Sequence, residues 1–566
     1  MSNPLLRPLR LFILTIGVML FISFNSSTAF AQIPPSTEPG VVIKGLERKA
    51  PPRSRLEDIV TVPKPGEMEK KVSDKKIFVL KKVVLDKSDV YQAADLANTY
   101  DKYIGQQVSF ADLNDIASAM TRKYRKGGYI FSRVIVPPQK INNGVVHFQA
   151  IEGRIVNVEL VGKVRNDNGL IKTIADKIRN EGPANSKKIE RYLLLIDDLP
   201  GIKARSFIKP SRTVGGGDMV ISVEEDSFEG SASFDNRGSK YLGPFRGELV
   251  GAFNSVLGLH ERTTLRAVAA TQTSELKFGE ITHEEQIGSE GMNINTRFAV
   301  TDSSPGGNVS SLGIEGSSRL LEISAKYPLI RSRAMNLNVV GGLSGLNSET
   351  DLLGIKTAED HVRSLQAGGQ ADFTDPLLGI NQVDFRASKG ISVLGATDDG
   401  MGRSRANGKH DFLRMNLTAT RIQDILLPDL SLFLSATGQA SNDALLASEE
   451  FTVGGAGFGR AYDGGEIAGD RGYAGVAELR YGSYVDHELI RSYQLYAFMD
   501  GGRVFNKNPL VGESGDSSLV STGVGVRFNI IHDISGFLEF ASPNTRIVRS
   551  ENNDKSRLFF SVLKRL

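Results

Sequence analysis

The chain has 566 residues, a net charge of +3 and no cysteine. Near-balanced charge gives no electrostatic case for nucleic acid, and without thiols there are no disulfides, thiol nucleophiles or thiolate metal sites. The seven histidines are scattered, and His283-Glu284-Glu285 lacks a second histidine one helical turn on, so neither a metal centre nor a cofactor is expected.

Arg7 and Arg10 precede an apolar run from Leu11 to Phe24, and Ala29-Phe30-Ala31 follows before Gln32. This is the pattern of a secretory signal peptide over residues 1–31, with a mature chain beginning at Gln32. The run is about fourteen residues, short of the ~20 a membrane helix needs. No later stretch reaches about 18 apolar residues, so a membrane-spanning form of this chain must be a closed barrel of strands.

Residues 32–75 are rich in proline and charge, with Pro51, Pro52, Pro63 and Pro65 removing donors and fixing φ, which reads as linker. Within it, Glu38 to Lys49 can form one helix. Gly40 and Gly45 weaken that helix by ~1 kcal/mol each, so it needs a docking surface.

A compact unit follows over residues 76–153. Ile77 to Leu85 reads as a strand and Val90 to Tyr103 as a helix. Ser109 to Lys126 reads as a second helix, because Leu113, Ile116, Ala117 and Met120 recur at helical spacing. After Gly127-Gly128, Tyr129 to Val136 and Val145 to Ile151 read as strands. The β-α-α-β-β order repeats over residues 154–226, with helices Leu170 to Ile178 and Ser186 to Leu195. A groove between helix and edge strand in such a unit can accept an extended peptide by strand addition, although by default an edge strand is only an edge.

From residue 227 to 566 the texture changes to short alternating runs spaced by Gly, Asn, Asp and Ser. Period-two alternation over about ten residues suits a tilted membrane strand. At about 21 residues per strand and loop, the segment holds roughly sixteen strands. A soluble sandwich is the alternative. In Ala474 to Tyr481 and Leu495 to Gly502, Leu479, Tyr481, Leu495, Ala497 and Met499 fall on one side. Glu478, Arg480 and Asp500 fall on the other. The reading is lipid outside and a polar lumen inside.

Between these strands and the preceding ones lies a glycine-rich loop, residues 454–470, with Gly454, Gly455, Gly457 and Gly459, then Arg460 and Tyr462. Folded into the lumen, Arg460 needs an anion, and Asp500 is within reach of such a loop; on a soluble protein Arg460 would instead be solvated. The Gly455-x-Gly457-x-Gly459 run mimics a nucleotide fingerprint, but no βαβ unit follows it, and no enzyme is expected.

These residues carry a family likeness over nearly the whole mature chain. Tyr129 to Gln139, with Gly144 and Ile151-Glu152-Gly153-Arg154-Ile155, resembles the first POTRA domain and its exit into the second. Asp235-Asn236-Arg237-Gly238-Ser239, followed by Tyr241-Leu242-Gly243, resembles a first barrel strand and turn. Gly459-Arg460-Ala461-Tyr462 stands where a lumen loop carries V-R-G-Y/F, with Asp500 as strand partner; Gly459 and Ala461 replace the usual Val and Gly, and Leu566 the usual terminal aromatic. The chain thus resembles the TpsB transporters of two-partner secretion, the haemolysin secretion/activation branch of the Omp85 superfamily.

The resemblance implies a mainly β fold, with a transmembrane antiparallel barrel of about sixteen strands preceded by two periplasmic α+β POTRA domains. It implies an outer-membrane pore of a Gram-negative-type cell that exports a large β-helical partner, haemolysin or adhesin, without ATP. The partners implied are a secreted TpsA-type exoprotein captured by its N-terminal domain, outer-membrane lipid, and the barrel assembly machinery during biogenesis. The helix near Val41 to Lys49 would plug the lumen. Arg460, Tyr462 and Asp500 would lock the loop. Tyr129, Phe131, Pro137, Gln139, Gly144, Glu152 and Gly153 would form a partner-binding or structural motif of the first POTRA domain. A lumen that passes a polypeptide suggests a wet lock worth about 1 kcal/mol or less. The rivals are an Omp85-type assembly or insertion factor, expected to carry more POTRA units and no proline-rich plug linker, and a passive porin, which lacks the β-α-α-β-β repeats.

Overall fold

From Phe228 to Arg565, sixteen antiparallel strands pair in chain order and the last returns to the first, closing a barrel. The computed structural model describes residues 34–47, 60–61, 74–164, 169–398, 402–425, 427–485, 487–509 and 514–566. The signal peptide of residues 1–31 and most of the linker lie outside these. Among the described residues no helix is long and apolar enough to cross a membrane.

Alternation sets which way each wall residue faces. Leu479, Tyr481, Leu495 and Met499 are exposed on the outer face, while Glu478 and Asp500, one residue out of phase, are buried within. Strand length departs from the expected ten or so residues. The first strand, Phe228–Asp235, has 8 residues, and Ile355–Thr374 has 20. Hairpins that outrun the hydrocarbon keep their backbone pairing and change composition instead: Asn347, Ser348, Glu349 and Asp351 sit at the far end of Met335–Leu352.

The first α+β unit packs a helix, Phe110–Lys126, against the sheet of strands Lys82–Asp86, Val145–Ile151 and Arg133–Ile135. A capping box starts the helix: the Ser109 hydroxyl accepts from the Asp112 amide and the Asp112 carboxylate accepts from the Ser109 amide. The bond from Lys76, with that from the Ser109 amide, holds the Asp112 carboxyl down to about 2. The helix expected over Val90 to Tyr103 is instead two 3₁₀ segments, Ala93–Thr99 and Asp101–Tyr103. Only Leu96 and Tyr100 are buried there, too narrow an apolar stripe to hold fourteen residues in one α-helix. The strand expected over Ile77 to Leu85 is split, because the amides of Lys81 and Lys82 both donate to the carbonyl of Gly144. That expected from Tyr129 shrinks to Arg133–Ile135, since the Tyr129 amide closes the preceding helix by donating to Tyr124.

The second unit repeats the arrangement with helices Leu170–Arg179 and Ser186–Asp197 over a sheet in which strand Gly216–Glu225 lies between Arg154–Gly162 and Ile202–Pro210. Residues 60–61 of the linker form a further strand on the open edge of Ile202–Pro210, parallel, with Val60 opposite Ser206 and Thr61 opposite Phe207. The unit is clamped to the barrel mouth: Arg331 forks onto Asp198 at 2.6 and 2.8 Å, and Arg191 donates to the Pro328 carbonyl at 3.2 Å.

The proposed plug helix is shorter than expected, Pro39–Gly45 rather than Glu38 to Lys49, and it lies inside the barrel. Pro39 occupies a first-turn position, where its missing amide costs no helical bond. Ile43 is completely buried against inward-facing Val268, Phe278, Leu320 and Leu346. Lys44 pairs with Glu449, and Arg266 donates to the Leu46 carbonyl at 2.7 Å. Gly40 weakens the helix but lets it lie against the loop wall, since a Cβ there would come within 2.6 Å of the Ser448 Cβ.

Removal of residues 32–49 is expected to raise single-channel conductance in planar bilayers, and an unchanged conductance would show that the segment leaves the ion path free.

Candidate functional site: a lumen loop held by buried charge

A short hairpin, Phe451–Val453 paired with Ile467–Gly469, carries the glycine-rich loop inward against strands Arg471–Tyr484, Ile490–Phe505 and Asp516–Ile530. Two glycines make its path possible. Gly454 has φ +124°, and a Cβ there would overlap the Asp463 carbonyl oxygen. Gly459 has φ +83°, and a Cβ would come within 2.5 Å of Leu519 Cδ1. The turn at Gly459 aims the next side chain, Arg460, at the barrel wall.

There Arg460 is 6% exposed. Its Nη1 donates to Glu478 Oε2 at 2.6 Å and lies 3.4 Å from Glu539 Oε2, and its guanidinium carbon stands 4.1 Å over the Phe498 ring. Asp500 is present, but in a different role from a simple ion-pair partner. Its Oδ2 is 3.2 Å from Arg460 Nε without hydrogen-bond geometry. Its Oδ1 accepts from the backbone amides of Gly459 at 3.0 Å and Arg460 at 3.2 Å, and from Ser521. Asp500 therefore holds the loop's main chain, while Glu478 holds its charge.

Glu478, fully buried, is the hub: Arg460, Arg480 at 2.6 Å and Arg527 at 2.7 Å all donate to it. Tyr462 is 1% exposed, and its hydroxyl sits 3.3 Å from Val520 O, Thr545 Oγ1 and Arg546 O, tying the loop to the turn before the last strand. The wet lock expected from the need to pass a polypeptide is thus not what this conformation holds. The loop itself covers the wall, and Arg460 and its carboxylate partners are buried.

The residues singled out in the first α+β unit fall at its joints. Glu152 accepts from the amides of Asp89 and Val90, both at 3.0 Å, from Ser88 Oγ at 3.0 Å and from Tyr124 Oη at 2.9 Å. Burial pushes the Tyr124 phenol well above its ordinary value, so it remains a donor to Glu152. Tyr129 packs edge-on to Tyr91 and Tyr124. The Gly153 amide donates to Ser132, its carbonyl accepts from Ala184 of the second unit, and a Cβ would overlap Phe131, which itself packs on the second unit's core. Gln139 pairs its carboxamide with the His147 backbone at 2.7 and 2.8 Å and reaches the Pro137 carbonyl at 3.3 Å. Gly144, with φ +74°, accepts from the two lysine amides that split the first strand. These contacts are internal to the two units and fix how they join.

Sequence reasoning missed Glu539, Arg237 and Arg527 as members of the charge cluster. Alternation alone puts them on the inner wall but cannot say which strands the loop meets. Alternation places Glu478 inward, without its partners.

Glu478→Gln leaves three guanidiniums without their shared carboxylate, whereas Asp500→Asn keeps an oxygen for the loop amides. Opening of the loop, read as amide exchange over residues 454–466, should rise far more for Glu478→Gln, by the ~3–5 kcal/mol typical of a broken buried pair. The opposite ranking would place the hub at Asp500.

The family description "POTRA domain, ShlB-type" matches residues 78–153, and "Haemolysin secretion/activation protein ShlB/FhaC/HecB" matches residues 215–528. The heme/hemopexin transporter protein HuxB of Haemophilus influenzae is 23% identical over 497 residues, covering 85% of this chain and 86% of its own. The outer membrane transporter CdiB of Dickeya dadantii is 22% identical over 466 residues, covering 79% and 80%. The solved structure of CdiB from Escherichia coli has a TM-score of 0.74 at 18% identity, over 89% of this chain and 93% of that one, which shows the shared fold. With its closed barrel and a POTRA domain on the periplasmic side, the chain belongs to the haemolysin secretion/activation (ShlB/FhaC/HecB) family of outer-membrane transporters.

Proposed function

We propose that this chain secretes a large β-helical partner protein, captured by the N-terminal region of that partner through the two α+β units and passed to the cell surface without ATP. The observation that carries the reading is the strand at residues 60–61, which adds in parallel to the Ile202–Pro210 edge. That edge accepts an extended segment, and Phe207 beside it is half exposed. One continuous stretch of chain supplies both this strand and the lumen helix, so a partner that displaces the strand also loosens the tether of the helix. The sequence has no phosphate-binding loop, and folding of the exported chain outside makes return unfavourable.

In this reading Arg460, Tyr462 and Asp500 set the resting position of the loop, and Glu152, Gly153, Tyr129 and Phe131 keep the two units at a constant angle while cargo binds. An assembly or insertion factor is the second reading, favoured by one observation: the first and last strands pair over only five residues.

Replacing Val60 and Thr61 by proline in the full chain removes the linker's ladder donors. Retention of a purified N-terminal partner fragment should increase, with exchange protection appearing over residues 202–210. Equal retention with no protection there would remove the edge as the receptor. Partner recovered folded in the bilayer rather than in the medium would favour the assembly factor.

A further inference from the structure

The stretch Asp235-Asn236-Arg237-Gly238-Ser239 lies where the barrel closes, and neither the loop lock nor cargo capture accounts for it. The first strand pairs with the last only from Ser231 to Asp235, five residues, whereas it pairs with the second strand over eight. Beyond Asp235 a side chain continues the ladder. Asn236 donates from Nδ2 to the Leu558 carbonyl at 2.8 Å, accepts at Oδ1 from the Phe560 amide at 2.7 Å, and its own amide reaches the Phe560 carbonyl at 3.3 Å. Its carboxamide reads the edge of the last strand as a paired strand would.

The next residue turns into the lumen. Arg237 Nη2 donates to Glu539 Oε1 at 2.5 Å, and Nη1 donates to the main-chain carbonyl of Arg460, at the loop tip, at 3.2 Å. Its guanidinium carbon stands 4.2 Å over Phe559 of the last strand and 5.2 Å over Phe537. The turn that carries it is a close backbone crossing, since a Cβ on Gly238 would overlap the Gly243 carbonyl oxygen. Glu539 is shared: its other oxygen accepts from Tyr496 at 2.8 Å and lies 3.4 Å from Arg460. One largely buried side chain therefore touches the first strand's end, the last two strands and the lumen loop.

We propose that Arg237 is a latch that pins the lumen loop and the barrel seam through one side chain, so that its loss frees the two together. The loop tip cannot withdraw without taking away the Arg460 carbonyl. The seam cannot spread without parting Arg237 from Glu539 and Phe559. A planar fork is needed to hold a carboxylate and a carbonyl at once, so lysine cannot replace it in both roles. Arg237 is a positioning residue, and the inference does not rest on the export reading, because its readouts need no cargo.

The test is amide exchange in the full-length protein over three segments: the first strand (228–236), the loop (454–466) and a remote strand (335–352). Arg237→Ala should raise exchange about tenfold or more in the first two together and leave the third unchanged. Arg237→Lys should keep the seam near its native rate while the loop loosens. Asn236→Ala, which touches only the last strand, should loosen the seam alone. The latch is overturned if Arg237→Ala frees only one of the two segments, if the remote strand rises equally, or if Asn236→Ala frees the loop as much as Arg237→Ala does. Should the alanine variant fail to assemble, the contrast between Arg237→Lys and Asn236→Ala decides alone: the loop must respond to the first and not to the second.

Discussion

A guanidinium keeps its proton at any accessible pH, so a loop that carries Arg460 into a water-poor lumen can dock only where carboxylates already wait. The barrel provides them on separate strands, Glu478, Asp500 and Glu539, and then has to neutralise those in turn. Arg480 and Arg527 share Glu478, and Arg237 shares Glu539. Each member leaves its neighbours unbalanced if removed, which is why such a cluster has one arrangement rather than many. The lock is better described as one loop cation completing a charge network of the wall than as a single pair.

The same constraint organises the rest of the lumen. Arg266 pairs with Glu248, and Arg297 bridges Glu280 and Glu322, so the wall beneath the helix is a ladder of paired ions. The helix adds Ile43 to an apolar patch and Lys44 to Glu449, which also accepts from Arg414. Ser448 and Glu449 lie just before the hairpin that carries the loop, so helix and loop rest on one another. Below the barrel, Arg331 and Asp198 bind the second α+β unit to the strand ends.

Much of this was legible from residue order. Period two marked the wall and its two faces, as Leu495 and Asp500 show, and strand count followed from length. The paired β-α-α-β-β units were visible in helical spacing and glycine stops. What residue order hid was of two kinds. Val90 to Tyr103 has helical composition but too few apolar anchors to fill a helix face, so tertiary packing chose 3₁₀ turns. Contacts inside the lumen, such as Glu539 with Arg460 and with Arg237, 302 positions away, are encoded by no local pattern. The wet-lumen expectation failed for a related reason: it followed from the passage of a polypeptide, and residue order does not show that the loop buries its own charges against the wall.

The most direct measurement is a double-mutant cycle between Arg460→Met and Glu478→Gln, with loop-opening free energy read from amide exchange over residues 454–466. A dry, shared charge site predicts a coupling of roughly 2 kcal/mol or more, the double variant being little worse than the worse single. Additive losses, within about 0.5 kcal/mol, would contradict it and return Arg460 to the status of a solvated surface cation.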